Sequence, residues 1–274
     1  ARAVAPGAPG GSTLTEDIMS DSLLFEQRGP VGIITINKPK ANQLSHDVFE
    51  GMRKYLDANE PDKNVRAIVI TGAGDKIFCA GADLSSGFGE FGPVDFLKRG
   101  QDIWNKIEDY PKPVIAALGG HALGGGCELA LACHVRFMKK GARIGLTETN
   151  LGIIPGYGGT LRLPRLIGRS RALDCIMFAK QYEAEEALAI GLIDRLCDEG
   201  KTLDDAIAYG EEIAKRPPLA IRAVLKIMSA SASMSPEQHL KIEREELAKL
   251  FSTKDMMEGM TAFMQKRPAV FTGE

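Results

Sequence analysis

Short apolar runs alternate with helical patterns along most of the chain, and this alternation limits the folds that are available to it. Residues 32–37, 65–71 and 113–118 are rich in branched or small apolar side chains and have the length of buried strands. Helical spacing of apolar residues extends over 47–59 and 96–109. The pattern predicts an α/β fold in which helices cover a mainly parallel sheet.

The character of the sequence changes at both ends. Three helices are predicted after the Pro217-Pro218 break, over residues 219–229, 235–250 and 253–266. A region of this size, 216–274, is too small for a substantial core of its own, so we expect it to pack on the main domain, 19–215, or on another subunit. Residues 1–18 are interpreted as a linker or an added segment, with Met19 as the native start, or alternatively as the remnant of an organelle-targeting sequence.

Composition argues against several functional classes. The formal net charge is −2, which provides no broad basic surface for nucleic acid. No apolar run approaches the ~18 residues that a membrane-spanning helix requires. The five cysteines show no paired spacing, which indicates free thiols in a reducing compartment. The four histidines are scattered, so no metal site is expected.

Small residues follow the second predicted strand, in the sequence FCAGADL at residues 78–84. Such residues let the backbone approach a ligand closely, and a free amide N–H in this segment could donate to an oxygen atom. An ordinary turn made of small residues is the alternative.

Three consecutive glycines, 124–126, lead into a helix predicted over 126–131. Backbone N–H groups at a helix N-terminus stabilise a developing negative charge. Glu128 falls in the first turn, where the helix dipole favours its ionised form. The alternatives are a flexible connector for the glycines and an ordinary surface position for Glu128.

A second glutamate, Glu148, is predicted in a loop just before the apolar residues 151–154. Surroundings of this kind raise the pKa of a carboxyl group and would let it act as an acid, although a solvated loop glutamate is the alternative. A turn over residues 155–159 then leads into a helix near Leu161, with Arg162 and Arg165 available for ion pairs.

Taken together, these segments resemble the crotonase superfamily, the enoyl-CoA hydratase/isomerase family. The resemblance extends over nearly all of residues 22–274 and rests on FCAGADL, on ALGGGCELALAC and on the loop 148–160. The sequence GMTAFMQKR, at 259–267, is similar to the family's terminal helix. Glu128 and Glu148 are 20 residues apart, as in the hydratase members.

The resemblance implies a crotonase-like spiral of ββα turns, followed by a C-terminal helical region for trimer contacts. It implies an enoyl-CoA hydratase of fatty acid metabolism that adds water reversibly and syn to a 2-trans-enoyl-CoA. By this likeness, the N–H groups of Ala82 and Gly125 form an oxyanion hole for the thioester carbonyl, Glu128 activates the water, and Glu148 delivers a proton to C2. No metal or redox cofactor is implied, because coenzyme A is part of the substrate.

The resemblance also implies a set of substrate-binding residues, an assembly and a location. A homotrimer or a dimer of trimers is expected, in the cytoplasm or, for a eukaryotic source, in the mitochondrial matrix. Phe263 and Lys266 match residues that approach the coenzyme from a neighbouring subunit, and Ser85 stands where many members carry a basic residue. The coenzyme- or substrate-binding residues implied are Ala41, Ala80, Asp83, Leu84, Ser85, Gly124, Pro155, Gly156, Phe263 and Lys266.

Two other readings remain open from the sequence. One is an enoyl-CoA isomerase, or a hydratase or dehydratase that acts on a branched, cyclic or otherwise specialised acyl-CoA. Acyl-pocket residues would decide between these reactions, and residues 86–94 (SGFGEFGPV) are expected to form a mobile, partly aromatic lid over the acyl group. The other is a non-catalytic RNA binder, which the interleaving of basic and acidic residues over 241–246 disfavours.

Overall fold

The computed structural model describes residues 21–83, 92–230 and 234–274, and within them the predicted alternation of strands and helices is present. Its strands are β1 (Leu23–Arg28), β2 (Val31–Ile36), β3 (Ala67–Gly72), β4 (Ile77–Cys79), β5 (Val114–Leu118), β6 (His121–Leu123), β7 (Val135–Lys139), β8 (Arg143–Gly145), β9 (Tyr182–Glu183) and β10 (Arg195–Cys197). Its α-helices are α1 (His46–Asn59), α2 (Gly92–Glu108), α3 (Gly125–Ala132), α4 (Gly159–Ile167), α5 (Arg169–Met177), α6 (Ala184–Ala189), α7 (Thr202–Ala214), α8 (Pro218–Ala230), α9 (Pro236–Leu250) and α10 (Lys254–Gln265).

The larger sheet has the order β1-β2-β3-β5-β7-β10, and all of its pairs are parallel except β1 with β2. Side chains alternate between its two faces. In β2, Ile34 and Ile36 belong to the main core, whereas Val31 and Ile33 pack on the opposite side with Ile207 of α7. Both faces are therefore buried, which explains why the strands are nearly continuous apolar runs.

Each of three strands of the larger sheet is followed by a short strand and then by helical structure. The repeats are β3-β4-α2, β5-β6-α3 and β7-β8 with the helices after it. The short strands form a second sheet in the order β4-β6-β8-β9, in which β4, β6 and β8 are mutually parallel. This is the predicted spiral of ββα turns.

Helix α2 differs from its sequence-based prediction, because it begins at Gly92 rather than at residue 96. Pro93 is suited to the first turn of a helix, since its missing N–H would have no partner there. The last three residues of the predicted 86–94 lid therefore belong to α2. The other residues of that segment, together with residues 1–18, lie outside the described part of the chain.

The three C-terminal helices were predicted and are present as α8, α9 and α10. They leave many large apolar side chains exposed, an unusual amount for a surface that faces only water. The most exposed on these helices or at their ends are Met228, Phe251, Met257, Phe263 and Met264, and Val270 in the segment after α10 is also exposed. Within the described residues, no helix combines the length and the apolar character that crossing a membrane would need.

Two adjacent glycines provide a test of the contact between the turns that precede β4 and β6. An ideal Cβ on Gly120 would lie 2.3 Å from the carbonyl carbon of Lys76, whereas one on Gly119 would meet no atom within 4 Å. We expect Gly120→Ala to lower the free energy of unfolding by ~1–3 kcal/mol, because the backbone before β4 must move. Gly119→Ala is the matched control, and equal losses in urea unfolding of the two variants would contradict the prediction.

Candidate active site

Three segments singled out in the sequence meet at one edge of the smaller sheet. Ala82 follows β4, Gly125 follows β6, and Glu148 follows β8. Because these strands are parallel neighbours, their carboxyl ends lie side by side. Residues that are far apart in the chain are thereby brought into one site.

Ala82 has a free backbone N–H because its two neighbours, and not Ala82 itself, form the hydrogen bonds that pair this segment with Leu44. Leu44 N–H donates to the carbonyl of Gly81 at 2.8 Å, and Asp83 N–H donates to the carbonyl of Leu44 at 2.9 Å. In extended backbone, successive N–H groups point to opposite sides, so the N–H of Ala82 faces away from Leu44. It has no acceptor among the described residues.

Gly125 supplies a second free N–H. It is the first residue of α3, where an N–H has no partner within the helix, and no described residue accepts from it. An ideal Cβ on Gly81, which has a φ of +91°, would lie only 3.0 Å from the Gly125 nitrogen. The glycine at 81 therefore lets the two N–H groups stand next to each other, as an oxyanion site requires.

Glu128 lies one turn along α3 and is almost completely buried, with 1% of its surface exposed. Its Oε1 accepts hydrogen bonds from the N–H groups of Tyr157, at 2.8 Å, and Gly159, at 2.7 Å. Its Oε2 is buried and has no hydrogen-bond partner among the described residues. One oxygen is therefore fixed, and the other is available to a reactant.

Burial raises the pKa of Glu128 to about 7, and the negative charge of Glu148 adds to this increase. The N–H groups of Gly159 and Tyr157 and the charge of Arg162 act in the opposite direction. Burial thus outweighs the helix dipole, which the sequence-based argument had expected to keep this carboxyl ionised. A pKa near neutrality suits a group that takes up and releases a proton.

Glu148 begins a 3-10 helix, Glu148–Leu151, directly beside the oxyanion donors. An ideal Cβ on Gly124 would lie 3.4 Å from its Oε1. Its Oε2 is buried without a hydrogen-bond partner among the described residues, and burial raises its pKa. Of the two alternatives that the sequence left open for Glu148, the structure favours the partly buried carboxyl with a raised pKa over the solvated loop glutamate.

Three of the residues implied to bind the coenzyme or the acyl group, Ala41, Ala80 and Asp83, lie next to Ala82 in the structure. The side chain of Asp83 forms an ion pair with Lys38 at 2.9 Å. The N–H of Ala80 donates to the carbonyl of Ala41 at 3.0 Å. Leu84 and Ser85 lie outside the described residues.

The remaining implied residues divide into two groups. The N–H of Gly124 donates to the carbonyl of Gly145. Pro155, which is buried, and Gly156, which is half-buried, lead into the turn that holds Glu128. Phe263 and Lys266 lie at the exposed end of α10, and Phe263 is 82% exposed. In the described part of the chain, no hydrogen bond or ion pair joins either of these two to the site.

Sequence reasoning missed the two donors to Glu128, the N–H groups of Tyr157 and Gly159. Both are backbone groups, so their residue types carry little information. The available signal was the Gly158-Gly159 pair at the start of α4, where unpaired N–H groups are expected. The Tyr157 ring packs edge-on against Phe49 and Trp104 and anchors this turn in the core.

Comparison with known proteins agrees with this geometry. A family model described as enoyl-CoA hydratase/isomerase matches residues 26–274. A probable enoyl-CoA hydratase of Bacillus subtilis is 40% identical over 248 residues, which cover 89% of this chain and 96% of the relative. A short-chain-enoyl-CoA hydratase of Clostridium acetobutylicum is 37% identical, with coverage of 90% and 96%. The crystal structure of an enoyl-CoA hydratase from Bacillus anthracis has a TM-score of 0.89 and 37% identity, covering 92% of this chain and all of that one (100%).

The raised pKa of Glu128 predicts a pH-dependent cost in stability. A carboxyl whose pKa is higher in the folded state contributes stability that is fully present below its unfolded pKa of 4.5 and is lost as the pH rises through about 7. Glu128→Gln removes this dependence, so we expect the variant to gain up to ~3 kcal/mol relative to the wild type between pH 4.5 and pH 8. Urea unfolding at the two pH values measures the change.

The exposed Glu237→Gln, whose side chain lies on the surface of α9, is the control for this measurement. It should show no gain between the two pH values. A constant difference between wild type and Glu128→Gln across this range would contradict the prediction.

Proposed function

Because the chain belongs to the enoyl-CoA hydratase/isomerase family, we propose that it adds water reversibly and syn to the double bond of a 2-trans-enoyl-CoA, giving a 3-hydroxyacyl-CoA. One observation carries the proposal. The buried carboxyl of Glu128 and the half-buried carboxyl of Glu148 each leave one buried oxygen without a hydrogen-bond partner among the described residues, beside two free backbone N–H groups.

The N–H groups of Ala82 and Gly125 would receive the thioester carbonyl oxygen. Attack of water at C3 moves the electrons of the double bond toward C2 and this oxygen, which acquires the charge of an enolate. Preorganised donors stabilise that charge without waiting for solvent to reorganise, and each is worth ~2.7–4 kcal/mol in the transition state.

The two carboxyls would complete the addition by moving one proton each. Glu128 takes a proton from the water while the water oxygen bonds to C3. Glu148 gives a proton to C2. One molecule of water is thereby added in total, and the proton on Glu128 must return to Glu148 before the next cycle. In the reverse direction the two residues exchange their roles.

The assignment of Glu128 as base and Glu148 as acid rests on the likeness to the two-glutamate hydratases. Two nearby carboxyls do not both ionise easily, so the active form carries one proton between them. Arg162 lowers the pKa of Glu128, but burial and the charge of Glu148 outweigh it and raise that pKa to about 7, so Glu128 must give up its proton before it can act as the base. In the proposed addition, the form of the pair that reacts has Glu128 ionised and Glu148 protonated.

The proposed reaction requires no metal or redox cofactor. It involves no change of oxidation state that needs an external electron acceptor, and its three requirements are a base, an acid and an oxyanion site. The side chains and N–H groups described above supply all three. Coenzyme A enters and leaves as part of the substrate and product.

We further propose a homotrimer, or a dimer of trimers, that forms through the C-terminal helices. The apolar side chains exposed on α8, α9 and α10 support this, as does the exposed position of Phe263 and Lys266, which would approach the coenzyme of a neighbouring subunit. A location in the cytoplasm or the mitochondrial matrix is proposed from the five buried free cysteines, which suit a reducing compartment.

Crotonyl-CoA is the first substrate to test, since a relative at 37% identity is a short-chain-enoyl-CoA hydratase. We expect wild-type turnover, measured as loss of the enoyl-thioester absorbance. Glu128→Gln and Glu148→Gln should each lower kcat by at least about a hundredfold, because each removes an acid or a base from the reaction. Glu237→Gln is the surface control.

Two results would change the assignment. Binding of crotonyl-CoA without hydration by the wild type would contradict the proposal for simple substrates. Branched or cyclic enoyl-CoA and 3-enoyl-CoA substrates would then separate a specialised hydratase from an isomerase. Full activity in either glutamate variant would exclude the two-carboxyl mechanism.

Gly81 offers a separate test of the oxyanion site. In Gly81→Ala the methyl group would lie 3.0 Å from the Gly125 nitrogen, so we expect kcat/KM for crotonyl-CoA to fall about a hundredfold. Gly74→Ala is the matched control, because Gly74 also has a positive φ, of +81°, but its added Cβ would meet no atom within 4 Å. Equal losses in the two variants would show that backbone strain, rather than the blocked donor, is responsible.

A further inference from the structure

Arg162 is a buried cation on α4, with 3% of its surface exposed. Its Nε and Nη2 donate to Oε2 of Glu108 at 2.9 and 2.7 Å, and Nη2 also donates to Oδ1 of Asn105 at 2.7 Å. Its Nη1 donates to the carbonyl oxygen of Tyr157 at 3.0 Å. All three guanidinium nitrogens are therefore engaged, and the group has a single orientation.

The hydrogen bond from Arg162 to the carbonyl of Tyr157 is made to the turn that holds Glu128. The carbonyl of Tyr157 accepts from Arg162, while the N–H of the same residue donates to Glu128. Gly158, with a φ of +97°, lies against the guanidinium, since an ideal Cβ there would be 2.3 Å from Nη1. The turn over residues 157–159 is thus fixed between the arginine on one side and the glutamate on the other.

Charge adds to this geometry. The titratable or charged groups that face Glu128 in the described structure are Glu148, Cys127, Tyr157 and Arg162, and only the last of these carries a positive charge. Glu108 does not cancel that charge completely, because it also pairs with Arg165 at 3.6 Å. Two guanidinium groups share one carboxylate, which leaves a net positive charge beside the turn.

We propose that Arg162 is a positioning residue for Glu128. Anchored by Glu108 and Asn105, it aims the N–H groups of Tyr157 and Gly159 at Oε1 of Glu128 and favours the carboxylate form that accepts a proton from water. The inference rests on the proposed function. A simpler role, in which the ion pair only joins α2 to α4, predicts a loss of stability without a change in the behaviour of Glu128.

The test compares Arg162→Gln with Arg165→Gln. Arg165 lies on the same helix and pairs with the same glutamate, Glu108, but the hydrogen bond to the turn over residues 157–159 comes from Arg162. We expect Arg162→Gln to lower kcat for crotonyl-CoA about tenfold, which corresponds to ~1.4 kcal/mol, with little change in KM. The acid limb of its kcat profile should move to higher pH by roughly half a pH unit or more, because the carboxylate has lost a nearby cation. Arg165→Gln should move the limb less than Arg162→Gln, because it keeps the contact between Arg162 and the carbonyl of Tyr157, and Arg162→Lys should recover part of the shift.

A second variant and a second readout complete the experiment. Asn105→Ala, at an exposed position of α2, removes one acceptor of Arg162 and replaces Arg162→Gln in the test if that variant does not fold. It should move the acid limb of the kcat profile in the same direction by a smaller amount. The 13C carboxyl resonance of Glu128, assigned by its absence in Glu128→Gln, follows the titration without turnover. If the titration of Glu128 is the same in Arg162→Gln, Asn105→Ala and the wild type, the inference is overturned. If the titration of Glu128 shifts in these variants but the wild type does not hydrate crotonyl-CoA, only the proposed function is overturned.

Discussion

The parallel pairing of β4, β6 and β8 is the constraint on which the rest of the site depends. These strands have three residues each, so few hydrogen bonds define their register, and the pairing of β4 with β6 is irregular between Ile77 and Cys79. Close backbone contacts support them. An ideal Cβ on Gly126 would lie 2.1 Å from the carbonyl oxygen of Cys79, so α3 begins in direct contact with β4. The distance between the N–H groups of Ala82 and Gly125 is thereby set by backbone packing, which is stiffer than any arrangement of side chains.

Burial raises the pKa of both glutamates and also lowers the stability of the folded state whenever they are ionised. A carboxyl in solution is ionised at neutral pH and is a weak base, whereas burial brings the pKa of Glu128 to about 7, where it can accept a proton and release it again. The same burial opposes folding whenever the group is charged. The N–H groups of Tyr157 and Gly159 offset part of that cost on Oε1 and leave Oε2 unsatisfied. The free oxygen is the one that a substrate water can use.

Much of this could be predicted from the sequence because the decisive residues lie in local patterns. Ala82 and Gly125 follow strands and small residues, and the spacing of Glu128 and Glu148 matches a known family. The partners of Glu128 could not be predicted, since they are backbone groups whose position depends on how a distant turn packs. The start of α2 was placed too late because Gly92 and Pro93 have the composition of a loop, although proline fits the first turn of a helix. Phe263 and Lys266 lie away from the site on an exposed helix end, and no pattern within one chain can show what they contact.

The exposed C-terminal helices connect the proposed assembly to the proposed chemistry. If Lys266 of one subunit pairs with a phosphate of the coenzyme bound by its neighbour, the substrate contacts two chains and binds better to the oligomer than to a separate subunit. Linkage then requires that the substrate stabilise the assembly by the same free energy. Burial of the apolar side chains on α10 would supply the affinity between subunits, while the single charge on Lys266 would make that affinity respond to substrate. A site that is chemically complete within one chain, with its base, acid and oxyanion donors, would in this way depend on a second chain for holding the coenzyme but not for the reaction itself.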